Sequence, residues 1–339
     1  MVQLTEERLD AILAEIQGKT IAVIGDLMLD RYIWGSVTRI SPEAPVPVID
    51  VETEQERLGG AANVARNIKA LGGNPLLVGV AGADTGGEAL RRLIGECGFS
   101  TQGVIVDPSR PTTIKTRIIA HDQHVARVDS ESRADISVEI RNRIMDSLRE
   151  QIEKIDGIII EDYNKGVVNP DIIQSVIAMA REHGKIITVD PKFSNFFAYT
   201  DVSLFKPNRK EVEGALGVSL RTDTEVMLAG KELLKRLRAG GVLLTRGEKG
   251  MTLFSADGTI AHTDTRARTV ADVSGAGDTV IATLTLALTA GGSMAEASTL
   301  ANYAGGVVCG QVGIVPILPE ELRAAVLGDA RRERKETSA

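Results

Sequence analysis

The sequence predicts an α/β fold in which helices cover both faces of a mainly parallel central sheet and a small β-sheet forms a lid. Predicted strands and helices alternate along most of the 339 residues. The strands are continuous apolar runs, which is typical of parallel strands buried on both faces. Two further segments, 31–57 and 112–131, are rich in β-branched residues and have no helical stripe. We expect these segments to form antiparallel strands in a separate sheet that serves as a lid.

The elements of the main domain follow an amphipathic helix. Apolar residues at helical spacing within 4–17 predict that helix, and Gly18 is suited to end it. Short apolar runs predict strands at 20–30, 74–82, 156–162, 185–191, 201–208 and 240–247. Helices are predicted within 58–73 and at 88–97, 171–183, 209–216 and 223–238. We therefore divide the chain into a helical extension (1–18), a main domain carrying the lid (19–328) and a charged tail (329–339).

Composition and charge indicate a protein that binds small molecules. The net charge is −7 and aromatic residues make up 3% of the chain, which argues against nucleic-acid binding. The only cysteines, Cys97 and Cys309, fit a reduced cytoplasmic protein. The N-terminus is acidic, unlike a signal peptide, and the most apolar segment, 280–290, is shorter than the roughly 20 residues of a membrane span. We expect a soluble cytoplasmic protein with no nucleic-acid or membrane partner.

Ligands of open parallel sheets bind at the carboxyl ends of the strands. Several polar side chains lie at these ends in the predicted sheet. They are Asp26, Asp30, Asp162, Asp190, Asn208 and Arg246. We therefore expect the functional site at this edge.

The stretch DVSGAGDTVIATL (272–284) gives the most specific indication of chemistry. Gly275 and Gly277 predict a tight turn that opens a buried helix, and the free backbone N–H groups of a helix start bind anions. Asp278 would lie beside a phosphoryl group docked there and could accept a proton from an attacking hydroxyl. The structural alternative is that Asp278 only complements the helix dipole, an effect of about 0.3–1 kcal/mol. Three small residues before one acid favour the functional interpretation, a kinase.

Other nucleotide and metal signatures do not fit. GKT (18–20) precedes a strand instead of opening a helix, and GAGDTV lacks the third glycine of the dinucleotide fingerprint. His121 and His124 are an odd number of residues apart, so on a strand they point to opposite faces. These patterns predict neither a P-loop, nor a Rossmann site, nor a zinc site.

Four ordered motifs make the chain similar to the ribokinase-like (PfkB) carbohydrate kinases. DVSGAGDTV (272–280) resembles the C-terminal signature of that family, and LGGAANVARNIKALGG (58–73) resembles its N-terminal glycine signature. KPNRKE (206–211) resembles its Asn-x-x-Glu element, and TRGEKG (245–250) its nucleotide loop. The resemblance covers about 20–325. It implies a three-layer α/β sandwich with a β lid and the ATP-dependent phosphorylation of a sugar hydroxyl.

The resemblance also implies roles for individual residues. Asp278 would be the catalytic base, with Gly275, Ala276 and Gly277 around the anion hole. The residues expected at the sugar are Asp26, Asp30, Gly59, Gly60, Asn63 and Asp162. The residues expected at the nucleotide are Asn208, Glu211, Thr245, Arg246, Gly247, Gly250 and Asn302.

The resemblance also implies that the protein binds two kinds of cation. Glu211 would hold Mg²⁺ through water, since Mg²⁺ prefers oxygen ligands and keeps part of its hydration. Asp272, with the glycine loop 305–313, is a candidate for the monovalent-cation (K⁺) site of many family members. Structural alternatives remain open for Asn208 and Glu211, which also match a helix capping box, and for Gly59 and Gly60 as a simple helix-entry turn.

The N-terminal part of the chain resembles one subfamily more closely. GDLMLDRYIWGSVTRISPEAPVPVIDV (25–51) is similar to the kinase module of the ADP-heptose pathway, which phosphorylates D-glycero-D-manno-heptose 7-phosphate at C1. EDYNKGVV (161–168), DPK (190–192) and 113–129 resemble the same subfamily. A substrate that already carries a phosphate requires additional cations. The candidates are Lys115, Arg117, Lys165 and Lys192, for which a solvated surface position is the alternative.

Two departures and two rival functions accompany this resemblance. The nucleotidylyltransferase motif of the fused subfamily members is absent, which predicts a stand-alone kinase, and Phe193, Phe196 and Phe197 depart from the subfamily pattern. The rival functions are a PfkB-type kinase for ribose, fructose or a fructose phosphate, and a non-catalytic sugar-binding relative. Apolar lid residues such as Trp34 and Val46 predict a homodimer formed through the lid.

Overall fold

The computed structural model describes residues 4–121, 123–267, 271–311 and 313–337. Within these residues the helices are α1 (Glu6–Ile16), α2 (Ala61–Ala70), α3 (Thr85–Glu96), α4 (Val138–Arg149), α5 (Pro170–Glu182), α6 (Arg209–Leu216), α7 (Asp223–Leu237), α8 (Ala276–Thr289), α9 (Met294–Cys309) and α10 (Pro319–Thr337). The strands are β1 (Thr20–Gly25), β2 (Leu27–Ile40), β3 (Pro47–Gly60), β4 (Asn74–Gly82), β5 (Val104–Asp107), β6 (Thr113–Ala120), β7 (Gln123–Ser130), β8 (Gly157–Glu161), β9 (Ile186–Asp190), β10 (Leu204–Phe205), β11 (Gly241–Thr245), β12 (Met251–Ser255) and β13 (Ile260–Thr263).

The central sheet has the strand order β13-β12-β11-β10-β9-β8-β1-β4-β5. Its strands are parallel from β5 to β11, and β12 and β13 add an antiparallel edge. β-branched residues fill β1 and β8 and are buried on both faces, as strands between two helical layers must be. The predicted α/β fold with a mainly parallel sheet is confirmed.

Two hydrophobic clusters, one on each face of the sheet, make the three layers. Helices α1, α2, α3, α8, α9 and α10 contribute to one cluster, and α4, α5, α6 and α7 to the other. Leu9, Ile12 and Ile16 of α1 are fully buried, so the N-terminal helix packs as part of this domain. Helix α10 continues as far as Thr337, into the segment 329–339 that we predicted as a charged tail. Phe196, one of the unusual phenylalanines, lies in the core edge-on to Phe205 at 5.1 Å between ring centroids.

The lid is a separate sheet with the strand order β3-β2-β6-β7. Pairs β2–β3 and β6–β7 are antiparallel, as expected, but β2 and β6 are parallel, so a purely antiparallel lid was the wrong expectation. The two hairpins enter from the main domain in the same direction, which makes their adjoining strands run in parallel.

Two strand predictions also need correction. The segment 20–30 is two strands, because the chain leaves the central sheet at Asp26 and continues into the lid. The Asp26 N–H donates to the carbonyl of Glu161 in the central sheet, and its own carbonyl accepts from Ala61. Apolar residues on both sides of Asp26 hide this break from a periodicity analysis. In 201–208 only Leu204–Phe205 is strand.

Gly60 connects the lid to α2 and has a conformation that requires glycine. It is the N-cap of α2 with φ +58°, and a Cβ there would lie 2.4 Å from the Asp26 carbonyl oxygen. Gly59 precedes it, and a Cβ there would lie 2.2 Å from Oδ2 of Asp30. The two glycines therefore allow β3 and α2 to approach the residues at the end of β1 and the start of β2. In the part of the chain that the structure describes, no helix is long and apolar enough to span a membrane.

We predict that Gly230→Ala destabilises the fold. Gly230 lies within α7, and a Cβ there would be 2.2–2.5 Å from three ring atoms of Phe254, a fully buried side chain. Overpacking a rigid core costs about 1–3 kcal/mol, which outweighs the better helix propensity of alanine. Chemical denaturation should show this loss in the free energy of unfolding.

Gly95→Ala is the matched control for this prediction. Gly95 lies within α3, and no atom lies within 4 Å of the position that a Cβ would take, so alanine should stabilise the protein by up to about 1 kcal/mol. Equal effects of the two substitutions would contradict the packing argument.

Candidate active site

Asp278 lies in the first turn of α8, a helix that packs over β8 and β9. The residue is only 5% exposed. Asn63 Nδ2 donates to its Oδ2 at 2.6 Å, and the Tyr163 hydroxyl donates to its Oδ1 at 2.8 Å. Burial raises the pKa of Asp278 to about 6, and the two hydrogen bonds oppose that rise. At neutral pH the side chain is therefore a carboxylate that can accept a proton.

The glycine turn before Asp278 gives an anion access to the start of α8. Gly275 is the N-cap with φ +77°, and no side chain caps the helix. A Cβ on Gly275 would lie 3.0 Å from Ile314 and 3.1 Å from Asn63 Nδ2, so glycine also leaves room for a neighbour of the carboxylate. The first N–H groups of a helix have no intrahelical acceptor, and the helix dipole favours negative charge there. The turn can thus hold a phosphoryl group beside Asp278.

A buried ion pair borders the same helix start. Lys206 Nζ lies 2.7 Å from Oδ2 of Asp190, and both side chains are almost fully buried. A Cβ on Gly277 would lie 3.8 Å from each of these two atoms. A positive charge therefore lies close to the position where a docked phosphoryl group would gain negative charge.

Glu161 ends β8 directly opposite Asp190 in the sheet. It is fully buried, and within the described residues neither carboxyl oxygen has a hydrogen-bond partner. Burial, together with the charges of Asp190 and Asp278, raises the pKa of Glu161 well above its ordinary value. The raised pKa favours the neutral form of Glu161, and in that form the side chain adds no negative charge under the site.

The loop after β8 is held by two buried aspartates. Three backbone N–H groups of 163–167 donate to the carboxylate of Asp26, at 2.8–3.2 Å. Burial, and then the charge of Asp162, raises the pKa of Asp26 to about 6. Asp162 in turn accepts the hydroxyl of Tyr199 at 2.6 Å. Both aspartates, expected at the sugar, thus also position the loop that carries Tyr163.

The lid brings basic side chains over this loop. Arg117 is hydrogen-bonded to Asp30, and Lys165 Nζ lies 2.6 Å from Oε2 of Glu131. Lys115, on β6, has no carboxylate within ion-pair distance among the described residues. Its ammonium lies 5.7 Å from the ring centroid of Tyr163, and burial and the charge of Lys165 lower its pKa. Of these three cations, Lys115 is the one available to a substrate anion.

Lys192 lies on the nucleotide side of the same tyrosine. Its Nζ donates to Oε1 of Glu211 at 2.7 Å and lies 5.1 Å from the ring centroid of Tyr163. Glu211 and Asn208 also form the capping box of α6, the structural alternative left open by the sequence. Both carboxyl oxygens of Glu211 therefore already have protein donors.

A cavity of about 450 Å³ opens beside the start of α8. Predicted nucleotide residues line it, and Ala276 and Gly277 connect it to the helix start. These nucleotide residues are Thr245, Gly247, Gly250 and Asn302. Most other lining residues are apolar or small, such as Met251 and Val280. The cavity thus suits a purine base whose phosphates point toward Asp278.

Arg246 and Asp272 have other surroundings. The side chain of Arg246 turns away from the cavity to Asp223 and Thr252, although its backbone N–H supports the loop by donating to Gly250. Asp272 accepts from the Ser274 N–H at 2.8 Å. Residues 268–270 and 312, next to the candidate K⁺ site, lie outside the described residues. No group of three His, Cys, Asp or Glu side chains suited to a metal occurs in the described ranges.

Tyr163, Glu161 and Lys206 were missing from the residues expected at the site. All three occur in quoted motifs, EDYNKG and KPNRKE, at the ends of predicted strands. The strand-end position was the available signal. The sequence gave no indication that Tyr163 pairs with Asp278, 115 residues away, or that Lys206 pairs with Asp190, 16 residues away.

These features define the class of protein as a phosphoryl-transfer enzyme with an α/β domain and a lid. The pfkB family carbohydrate kinase model matches residues 19–321. The chain belongs to this family and is an ATP-dependent sugar kinase.

Curated relatives lie within the same family. The chain is 43% identical over 316 residues to the bifunctional protein HldE of Geobacter metallireducens, covering 93% of this chain and 64% of the relative. It is 42% identical over 304 residues to HldE of Helicobacter pylori, covering 90% and 66%. The chain thus spans slightly less than two thirds of the length of these relatives.

Solved structures show the same fold. Arabidopsis thaliana ribokinase complexed with ribose and ATP aligns with a TM-score of 0.72, over 91% of this chain and 99% of that chain, at 18% identity. Escherichia coli phosphofructokinase-2 in complex with potassium aligns with a TM-score of 0.74, over 93% and 99%, at 18% identity. Both confirm the ribokinase-like architecture.

We predict that Asp278→Asn stabilises the protein at neutral pH. The pKa of Asp278 is raised from 3.8 to about 6, so ionising the buried side chain costs stability. This cost is absent below about pH 4 and complete above about pH 6.5, so the variant should gain roughly 1–3 kcal/mol only as the pH rises. Unfolding free energies at pH 4 and pH 7.5 measure it.

Asp190→Asn is the matched control and should have the opposite sign. It removes one partner of the buried pair with Lys206 and leaves an uncompensated cation, which costs about 3–5 kcal/mol. A stabilised Asp190→Asn, or an Asp278→Asn variant with no pH-dependent gain, would contradict this charge assignment.

Proposed function

We propose that this kinase transfers the γ-phosphoryl group of ATP to the C1 hydroxyl of D-glycero-D-manno-heptose 7-phosphate, with Asp278 as the general base. The observation that carries the proposal is the position of Asp278. Its carboxylate lies at the start of α8, next to the cavity residue Gly277, and it is hydrogen-bonded to Tyr163, whose ring contacts Lys115 of the lid. A base there can reach a sugar hydroxyl under the lid while the helix start holds the phosphoryl group.

The reaction follows from these positions. ATP binds with its base in the cavity and its γ-phosphoryl at the N–H groups of Gly277 and Asp278. The C1 hydroxyl attacks the phosphorus in line, its proton passes to the Asp278 carboxylate, and ADP leaves. The helix start and the nearby Lys206 stabilise the charge on the transferred group. Lys192 contacts both Glu211 and the ring of Tyr163, and its charge would neutralise phosphate charge on the nucleotide side.

Two residues of the site are suited to hold the proposed cations, Mg²⁺ and K⁺. Glu211 has both oxygens engaged by protein donors, so it suits Mg²⁺ bound through water. Mg²⁺ would supply charge neutralisation to the ATP phosphates. Asp272 has one oxygen that accepts the N–H of Ser274, and a carboxylate oxygen is a ligand of the kind that K⁺ would need.

Two observations favour a phosphorylated sugar over a neutral one. Lys115 of the lid lies near Tyr163 without a carboxylate partner among the described residues, whereas Arg117 and Lys165 each have one acidic partner. The curated relatives are HldE proteins, and the motifs at 25–51 and 161–168 resemble the heptose kinases. A fructose phosphate is the second candidate, because it carries the same phosphate.

We also propose a cytoplasmic homodimer formed through the lid. The lid strands expose apolar side chains, with Ile40 and Val51 each 60% exposed. Cys97 and Cys309 are both free thiols, which fits a reducing compartment.

The base assignment predicts that Asp278→Asn loses phosphoryl transfer. Removing a general base costs about 10²–10⁴-fold in rate, while ATP should still bind because the cavity is unchanged. The kcat/KM of the wild-type enzyme should fall about tenfold per pH unit below the Asp278 pKa of about 6. A coupled assay for ADP with a panel of sugar phosphates measures the rates, and near-normal turnover of Asp278→Asn would refute the assignment. If none of the sugars in the panel leads to consumption of ATP, the result would instead support a non-catalytic relative.

The substrate assignment predicts that Lys115→Met weakens binding of the sugar phosphate. The wild-type protein should bind the heptose 7-phosphate more tightly than the free heptose. In the variant, the ratio of these two affinities should fall about tenfold. Titration calorimetry with both sugars measures it. Lys69→Met on the exposed face of α2 is the control for net charge. Equal losses for both sugars would remove Lys115 from the phosphate site.

A further inference from the structure

Each oxygen of the proposed base already accepts a hydrogen bond before any sugar arrives. Asn63 and Tyr163 each donate to a different oxygen of Asp278, at 2.6 and 2.8 Å. The attacking hydroxyl of a substrate must also lie within hydrogen-bond distance of this carboxylate. The Tyr163 hydroxyl therefore occupies a place of the kind that the substrate hydroxyl needs.

Tyr163 is held in this position from three sides. Its N–H donates to Asp26 at 2.8 Å, which fixes the backbone. The ammonium groups of Lys192 and Lys115 lie 5.1 and 5.7 Å from the centroid of its ring. Cation–π contacts of this kind are worth roughly 0.5–2 kcal/mol each. Lys192 belongs to the main domain and Lys115 to the lid strand β6, so one of the two contacts depends on the position of the lid.

We propose that the Tyr163 hydroxyl acts as a placeholder on Asp278 that keeps water from the base until the sugar displaces it. This inference rests on the proposed kinase function and adds to it a residue that discriminates between sugar and water. Burial raises the pKa of Tyr163 well above its ordinary value, so the hydroxyl remains a proton donor to the carboxylate. It is a positioning residue, because it acts through Asp278.

The reaction that Tyr163 prevents is ATP hydrolysis. A water molecule on Asp278 would attack the γ-phosphorus, forming a new P–O bond as the bond to the ADP oxygen breaks. The water proton would pass to the Asp278 carboxylate, and the products would be ADP and inorganic phosphate. Water at about 55 M competes with every kinase substrate, so a group that fills its place at the base has a clear use.

The sugar phosphate can displace Tyr163 where water cannot. Its phosphate offers Lys115 an ion pair in place of the ring contact, which loosens one side of the tyrosine. Its attacking hydroxyl then replaces the Tyr163 hydroxyl as the donor to Asp278, so the carboxylate keeps two hydrogen bonds. Water can donate a hydrogen bond to Asp278, but it has no phosphate to pair with Lys115.

The test is Tyr163→Phe, which keeps the ring and removes only the hydroxyl. We expect hydrolysis of Mg·ATP without sugar to rise at least about tenfold, the KM for heptose 7-phosphate to fall, and the kcat of transfer to change much less. Thr285→Val is the matched control, because it removes a buried hydroxyl whose partners are Thr188 and the Ile281 carbonyl, away from the loop of Tyr163. It should not raise ATP hydrolysis.

The outcomes separate this inference from the proposed function. Unchanged ATP hydrolysis in a folded Tyr163→Phe, with wild-type transfer intact, overturns the placeholder role alone. A Tyr163→Phe/Asp278→Asn double variant that hydrolyses ATP as fast as Tyr163→Phe overturns Asp278 as the base. Should Tyr163→Phe fail to fold, 3-fluorotyrosine at position 163 gives a fluorine NMR signal that must shift when heptose 7-phosphate and a non-hydrolysable ATP analogue bind. No shift overturns the displacement.

Discussion

Asp278 is a carboxylate at the start of a buried helix, and most of the surrounding site is arranged around the cost of ionising it there. Burial and then the charge of Asp190 raise its pKa, whereas the hydrogen bonds from Asn63 and Tyr163 and the charge of Lys206 lower it. Asn63 comes from α2, which begins at the Gly60 turn, and Tyr163 comes from the loop that Asp26 holds. The surroundings of the Asp278 carboxylate therefore come from separate segments that meet in the folded domain. Its protonation depends on the fold more than on its local sequence.

The acidic side chains near the start of α8 also affect whether phosphate can bind there. Glu161, Asp190 and Asp278 would give three negative charges where ATP must bring its phosphates, and repulsion at such distances is large in a buried site. Lys206 pairs with Asp190, and the raised pKa of Glu161 favours its neutral form. Asp278, the base of the proposed reaction, is the third acidic side chain of this group. The ion pair is thus best understood as a means of admitting phosphate beside a base, since buried pairs add little to stability.

Local patterns predicted the fold and the reacting helix but missed the contacts that complete the site. Apolar runs and the glycine turn at 275–277 depend on neighbouring residues, so the sheet, the lid segments and Asp278 could be read from the sequence. The break at Asp26 was hidden because buried residues continue on both sides of it. The Tyr163–Asp278 bond joins residues 115 apart, and the parallel pairing of β2 with β6 joins two separate hairpins. Neither has a local signal.

The junction at Asp26 couples the lid to the base. Asp26 lies between the end of β1 and the start of β2, and its carboxylate accepts the N–H of Tyr163. The backbone of the tyrosine is therefore attached to the main domain. Movement of the lid changes the distance between Lys115 and the ring and leaves Lys192 in place. One of the two cation contacts of the Tyr163 ring therefore depends on the lid, and the other belongs to the main domain. A substrate anion that binds Lys115 would thus change a contact of the same tyrosine whose hydroxyl donates to Asp278.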